Sequence, residues 1–111
     1  MSKFKFGNRK TCGFDSRKEY RRAKELERLQ ELGEISNLQT QVKFEILPKF
    51  EFNGEKIRPM SYIADFVYCY KGKIVIEDVK GFRTPDYKLK AKFMKWLIAN
   101  GKIKADDFVE T

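Results

Sequence analysis

The stretch IVIEDVKG, residues 74–81, begins as an apolar run typical of a β-strand and then changes to charged residues. Side chains at positions i and i+2 of a strand point to the same face, so Asp78 and Lys80 should share one face. Glu77 should point to the other face unless a bulge intervenes. Burying an unpaired charge costs several kcal/mol, so the charges of Glu77, Asp78 and Lys80 at the end of an apolar run need partners.

A second apolar run, YIADFVY at residues 62–68, carries Asp65 in its middle. The short polar turn Lys71-Gly72 lies between the two runs, so they should pair as an antiparallel hairpin. This hairpin would bring Asp65 and Asp78 together, and a divalent cation would remove the repulsion between the two carboxylates. Such a site suits phosphodiester hydrolysis, with Lys80 positioning the attacking water. The alternative is a buried ion pair between Lys80 and an aspartate, with Glu77 in solvent.

The first helix is expected to begin at Ser16 or Arg17 and to end near Leu32. Ser16-x-x-Glu19 has the form of a capping box, in which each side chain bonds the backbone N–H group of the other residue. At about 100° per residue, however, Glu19 falls on the inward, apolar face of this helix. Glu19 is therefore predicted either to cap the helix or to act as an acid at the site, and the sequence leaves both roles open.

The second helix has clear boundary signals, since Thr84 is the expected N-cap, Pro85 suits the first helical position and Gly101 should stop the helix. Core packing is expected for Phe93 and Trp96, with an interface between two copies of the chain as the alternative. The apolar stripe comprises Tyr87, Ala91, Met94 and Ile98, extended by Leu89, Phe93, Trp96 and Leu97.

Basic residues occupy the remaining arc of the second helix, and we expect them to contact DNA phosphates. Lys90 interrupts the apolar arc, where it would either extend its charged end to solvent or reach a phosphate near the site. The predicted phosphate contacts are Arg83, Lys88, Lys90, Lys92 and Lys95.

Residues 41–47 alternate between apolar and polar types and predict a strand that follows a connector at residues 35–40. Pro48 should end that strand or place it at a sheet edge. Asn53-Gly54 predicts a hairpin, because both central residues of a type I′ turn need positive φ. A short strand is also expected within residues 102–111.

The 111 residues suffice for one small domain, expected at residues 14–111 behind a flexible basic arm at residues 1–13. The net charge of +8 favours polyanionic partners such as DNA. The absence of histidine excludes catalytic triads and His-ligated zinc. Cys12 and Cys69 lack CxxC spacing, so neither zinc nor a disulfide framework is expected. Because no signal peptide or membrane-spanning stretch is visible, we expect a cytoplasmic protein.

Ala64-Asp65 followed by Asp78-Val79-Lys80 resembles the motif of the PD-(D/E)xK nuclease superfamily. The chain is also similar to small phage and prophage proteins of that superfamily that are described as uncharacterised or resolvase-like. The stretches that carry this similarity are residues 14–19, 33–41, 62–66, 77–81 and 84–90. The resemblance implies an α/β (α+β) fold with an αβββαβ core, in which helices flank a central mixed sheet.

The resemblance also implies a role for each matching residue. Asp65 and Asp78 would bind Mg²⁺ or Mn²⁺, Lys80 would assist the nucleophilic water, and Glu19 would complete the site. Gln41 would lie at the edge of the site, near the DNA. Two departures from the pattern are that Ala64 replaces the proline and that Glu77 stands beside Asp78 as an alternative ligand.

The activity that follows is that of a metal-dependent DNA endonuclease encoded by a phage or prophage and acting in the bacterial host cell. A small chain has little room for a separate sequence reader, so cutting of branched DNA such as a Holliday junction is expected, by a homodimer. A catalytically inactive DNA-binding module of the same fold is the alternative. A structural phage protein with an incidental basic surface is the third reading.

Overall fold

The computed structural model of the chain describes residues 17–111, and the following elements all lie in that range. The helices are α1 (Arg17–Glu31) and α2 (Pro85–Ala99). The strands are β1 (Ser36–Leu47), β2 (Phe50–Phe52), β3 (Glu55–Ile57), β4 (Met60–Tyr70), β5 (Lys73–Asp78) and β6 (Asp107–Glu110). The predicted basic arm at residues 1–13 and the predicted cap Ser16 lie outside the described residues.

The central sheet has the strand order β1-β4-β5-β6, and β2 pairs with β3 in a small separate sheet. The β1–β4 and β4–β5 pairs are antiparallel, whereas β5 and β6 run parallel, because α2 connects them. With the small sheet set aside, the order of elements is α-β-β-β-α-β. The predicted α+β architecture with a mixed central sheet is therefore confirmed, as is the short last strand.

The predicted hairpin between β4 and β5 forms, and its turn has the expected backbone. Lys71 and Gly72 have φ of 50° and 78°, as a two-residue turn with positive φ at both positions requires. The ladder ends with Phe66 opposite Glu77. Continued by one residue in the same register, it sets Asp65 opposite Asp78.

The two helices pack on opposite faces of the central sheet. Neighbouring residues of β5 show this, since Val75 contacts the core under α1 and Ile76 contacts the core under α2. The α1 core consists of Ala23, Leu26, Ile35, Phe66, Tyr68, Val75 and Val79. The α2 core consists of Ile46, Tyr62, Ala64, Ile76, Tyr87, Ala91 and Met94.

Strict alternation does not hold along the whole of β4. Ala64 packs in the α2 core and Phe66 in the α1 core, although an even spacing should keep both on one face. The β1–β4 register is unbroken from Thr40 to Val42, which sets Gln41 opposite Asp65, and Gln41 has a left-handed φ of 53°. A left-handed residue interrupts the pleat of β1, and opposite it the side chains of β4 change faces at Asp65.

Two further expectations from the sequence are wrong. The connector at residues 35–40 is mostly strand, because β1 begins at Ser36 and its first half pairs with the end of β4. On α2, the side chains of Leu89, Phe93 and Trp96 are 50%, 40% and 55% exposed. They do not extend the buried stripe, since α2 meets the sheet along one narrow row of Tyr87, Ala91 and Met94.

Neither helix in residues 17–111 is long and apolar enough to cross a membrane.

Candidate active site

Three acids from three elements are buried near the point where the side chains of β4 change faces. Asp65 comes from β4, Asp78 ends β5, and Glu19 lies in the first turn of α1. All three side chains are almost completely inaccessible to solvent. Carboxylates are rarely buried unless they have partners, so the partners of each acid decide what the site can do.

Asp78 has one oxygen that is bonded and one that is not. The hydroxyl of Tyr62 donates to Asp78 Oδ2. Asp78 Oδ1 is buried and makes no hydrogen bond, although the Lys80 Nζ atom lies 3.4 Å away. A buried oxygen without a hydrogen bond is uncommon and points to a missing ligand or proton.

Asp65 receives one hydrogen bond, from the backbone N–H group of Val79 to Oδ2 at 2.8 Å. Burial, a side-chain hydrogen bond with Asp78 and the negative charges of Asp78 and Glu19 together raise the pKa of Asp65 to about 9, against the opposing effect of the Val79 bond. The three acids therefore act on one another, and without a bound cation Asp65 holds its proton at neutral pH.

Glu19 lies on the inward side of α1 and accepts a hydrogen bond from Gln41 Nε2 at 3.0 Å. Gln41 is one of two left-handed residues of β1, with Asn37, so its side chain leaves the strand in a direction that regular alternation would not give. Glu19 also lies close enough to Asp65 for its charge to help raise the pKa of Asp65. The alternative role of Glu19, in a capping box with Ser16, involves a residue outside the described part of the chain.

Lys80 follows the last residue of β5 and is held by its backbone as well as by its side chain. Its N–H group donates to the carbonyl of Thr111 at 3.1 Å, which ties it to the end of β6. Its ammonium group lies 5.0 Å from the centre of the Tyr87 ring, at cation–π distance. These contacts hold the Lys80 ammonium group beside the unbonded Oδ1 atom of Asp78.

Glu77 points to the other face of the sheet, as alternation along β5 predicts. Arg22 donates to both of its oxygens, from Nε at 2.6 Å and from Nη2 at 3.1 Å. The hydroxyls of Tyr68 and Thr111 add bonds at 2.7 and 3.1 Å. Burial alone would raise the pKa of Glu77, but these hydrogen bonds outweigh burial and lower it.

Glu77 is therefore an ionised, fully bonded acid with no oxygen left for a metal, and it is not the solvent-exposed residue that the ion-pair alternative requires. Sequence reasoning missed Arg22, its main partner. The sequence position of Arg22 could have indicated this role. Arg22 follows Glu19 by three residues on α1, so the two residues are neighbours on one face of the helix. A basic residue there can reach the acid that β5 directs toward α1.

The predicted phosphate contacts on α2, and Arg83 just before it, have different surroundings. Arg83 lies 3.6 Å from Glu110, and Lys90 lies 3.9 Å from Asp86, so both are at ion-pair distance from acids. Lys95 lies 5.8 Å from the ring of Phe108. Lys88 and Lys92 are exposed.

Among residues 17–111, no three acids or cysteines converge on one point as a ready ligand set for a metal ion. The donors nevertheless fit a hard divalent cation, since they are carboxylate oxygens, one of which is buried and unbonded. Burial is the largest cause of the raised pKa of Asp65, and the nearby Asp78 and Glu19 add to it; a bound cation would favour the ionised form against both effects.

No curated protein and no solved structure matches the chain. A family model described as "Protein of unknown function (DUF1064)" matches residues 3–105, which include Glu19, Asp65, Asp78 and Lys80. The match spans most of the 111 residues. The chain therefore belongs to the DUF1064 family of proteins of unknown function.

Proposed function

We propose that the chain is a Mg²⁺- or Mn²⁺-dependent endodeoxyribonuclease that hydrolyses phosphodiester bonds. One observation carries the proposal: Asp65 and Asp78 adjoin the last pair of the β4–β5 ladder and interact through their side chains, beside an ammonium group 3.4 Å from an unbonded carboxylate oxygen. Two buried carboxylates and a lysine have little structural benefit in this arrangement without a cation. The same groups are those that a metal-dependent phosphodiesterase needs.

Each residue has a defined part in this proposal. A bound divalent ion would polarise a phosphoryl oxygen and lower the pKa of a water molecule. Asp65 and Asp78 would hold that ion, with Glu19 completing the set from α1. Lys80 would orient the water and stabilise the negative charge that develops on the phosphate. Tyr62 and Gln41 would fix the orientations of Asp78 and Glu19 through the hydrogen bonds they donate.

DNA is the proposed substrate because the chain has a net charge of +8 and the ordered motifs resemble those of PD-(D/E)xK nucleases. Phosphate contacts give affinity without sequence preference, so the proposed enzyme selects DNA by structure and cuts branched molecules. A symmetric homodimer would carry two active sites, one for a cut in each of two opposing strands. We place this enzyme in the cytoplasm of a bacterial host, encoded by a phage or prophage.

A second candidate function is that of a DNA-binding module without catalysis. The observation that favours it is that the acids do not converge on one point in the described residues. In that case Asp65 would keep its proton, and the hydrogen-bonded acids would serve only to hold α1 and the sheet together.

The deciding experiment is a plasmid-nicking and junction-cleavage assay with Mg²⁺ or Mn²⁺. We expect the wild-type chain to cut, and we expect Asp78→Asn and Lys80→Ala each to slow cutting at least about 100-fold, because each removes a group that acts on the reacting phosphate. Glu45→Gln and Lys43→Ala are matched controls, since they are an exposed acid and lysine two residues apart on β1.

If Asp78→Asn and Lys80→Ala both still cut DNA, the assignment of Asp78 and Lys80 to the active site is refuted. Binding of junctions by the wild type with no cutting under any divalent ion would refute the nuclease and favour the binding module.

A further inference from the structure

A cleft of about 370 Å³ lies beside the proposed site, between α1 and the end of β6. Its walls include Val79, the residue between Asp78 and Lys80, so the cleft and the site share a segment of chain. The lining residues are Lys18, Arg21, Arg22, Glu25, Val79 and Thr111. Three of these six are cations, although none of the three was among the predicted DNA contacts.

The charges in this cleft are only partly balanced. Arg22 is paired with Glu77 and with Glu25, at 2.6 and 2.9 Å. Lys18 and Arg21 are exposed and have no carboxylate within ion-pair distance in residues 17–111. The cleft therefore presents two unpaired positive charges to solvent, three residues apart on one face of α1.

Lys18 also connects the cleft to the site itself. Its Nζ atom lies 3.5 Å from the carbonyl oxygen of Lys80. On the other side of Lys80, a second cleft of about 340 Å³ includes Lys90 in its lining, together with Asp86, from which Lys90 lies 3.9 Å away. Positive side chains thus flank Lys80 both toward α1 and toward α2.

We propose that Lys18 and Arg21 bind the DNA phosphates adjacent to the one that is cut, so that the strand crosses the end of β5 from α1 to α2. This inference rests on the proposed function, since it takes DNA as the ligand. It assigns the main contacts on one side of the site to α1, whereas the contacts predicted from the sequence are Gln41, Arg83 and the lysines of α2. Because these are phosphate contacts, they supply affinity and position but no base selectivity.

The test is the salt dependence of binding to a fluorescently labelled duplex, measured in EDTA so that hydrolysis cannot occur. Each lost phosphate contact reduces the slope of log K against log[salt] by about 0.9, so Lys18→Ala/Arg21→Ala should reduce it by about 2. Lys56→Ala/Arg58→Ala is the matched control, because it removes one exposed lysine and one exposed arginine that line neither cleft. The control should keep the wild-type slope.

Lys18→Arg/Arg21→Lys keeps both charges and should restore the slope, which excludes a folding defect as the cause. An unchanged slope for the alanine pair overturns the inference but leaves the nuclease proposal intact if the wild type cuts DNA. A reduced slope supports the inference even if the wild type never cuts, and then only the nuclease proposal fails. An equal reduction of the slope in the alanine pair and in the control would also overturn the inference, because it would reflect only the loss of overall positive charge.

Discussion

Replacing Arg22 by methionine should lower the free energy of unfolding by about 3–5 kcal/mol, because it leaves Glu77 charged and buried without its cation. Glu77 is fully inaccessible, and both of its oxygens accept bonds from the Arg22 guanidinium. The hydroxyl bonds from Tyr68 and Thr111 remain, but they cannot neutralise the charge. For a domain of this size, a loss of about 3 kcal/mol should lower Tm by about 12 °C or more, as measured by thermal and urea unfolding.

Arg21→Met provides the control for this change, since Arg21 neighbours Arg22 on α1 but is exposed. It should alter the free energy of unfolding by no more than about 0.5 kcal/mol. The double variant Arg22→Met/Glu77→Gln should recover part of the loss, because no unpaired charge remains. If Arg22→Met proves as mild as Arg21→Met, the ion pair does not hold α1 to the sheet in solution.

Raising the pH from 5 to 8 without divalent ions should destabilise the protein by as much as about 1.4 kcal/mol per pH unit. The pKa of Asp65 is raised to about 9 in the folded chain, from an ordinary value of 3.8. Between these values the folded state binds a proton that the unfolded state has released, so stability falls as pH rises. The chain has no histidine, so no imidazole titrates in this window.

Glu77 limits this trend on the acid side. Its folded pKa lies below the ordinary value of 4.5, so its stabilising effect is present above that value and is lost as pH falls through the folded pKa. The free energy of unfolding should therefore be greatest near about pH 5.

Asp65→Asn is the informative variant for the pH prediction, because an amide cannot titrate and its stability should change little between pH 5 and 8. Excess Mg²⁺ should also flatten the wild-type profile, since a bound cation favours the ionised carboxylate. A wild-type stability that stays level or rises between pH 5 and 8 would contradict the raised pKa of Asp65 in the folded chain.

The sequence predicts the hairpin, the two helices and the opposite directions of Glu77 and Asp78 because each depends on local rules. Two-residue turns and side-chain alternation depend on neighbours along the chain, and so do helix caps. The approach of Asp65 to Asp78 follows from the register of one short hairpin. These features could be derived without knowledge of the rest of the fold.

Other features depend on contacts distant in sequence. The change of faces at Gln41 needs a left-handed residue that no glycine or asparagine marks, so alternation alone misassigns half of β4. The exposure of Trp96 depends on how much of α2 the sheet can cover, which the apolar pattern of the helix does not reveal. The partnership of Arg22 with Glu77 joins residues 55 positions apart.

The most direct test of the proposed metal centre is a crystal structure of the chain with Mn²⁺, located by its anomalous scattering. The proposed centre requires a single strong peak at about 2.0–2.3 Å from oxygens of both Asp65 and Asp78, with Glu19 as the third acid of the shell. It also requires that the Asp65→Asn/Asp78→Asn variant bind no ion there. A Mn²⁺ ion on Glu77, or well-diffracting crystals with no ion near Asp65 and Asp78, would contradict it.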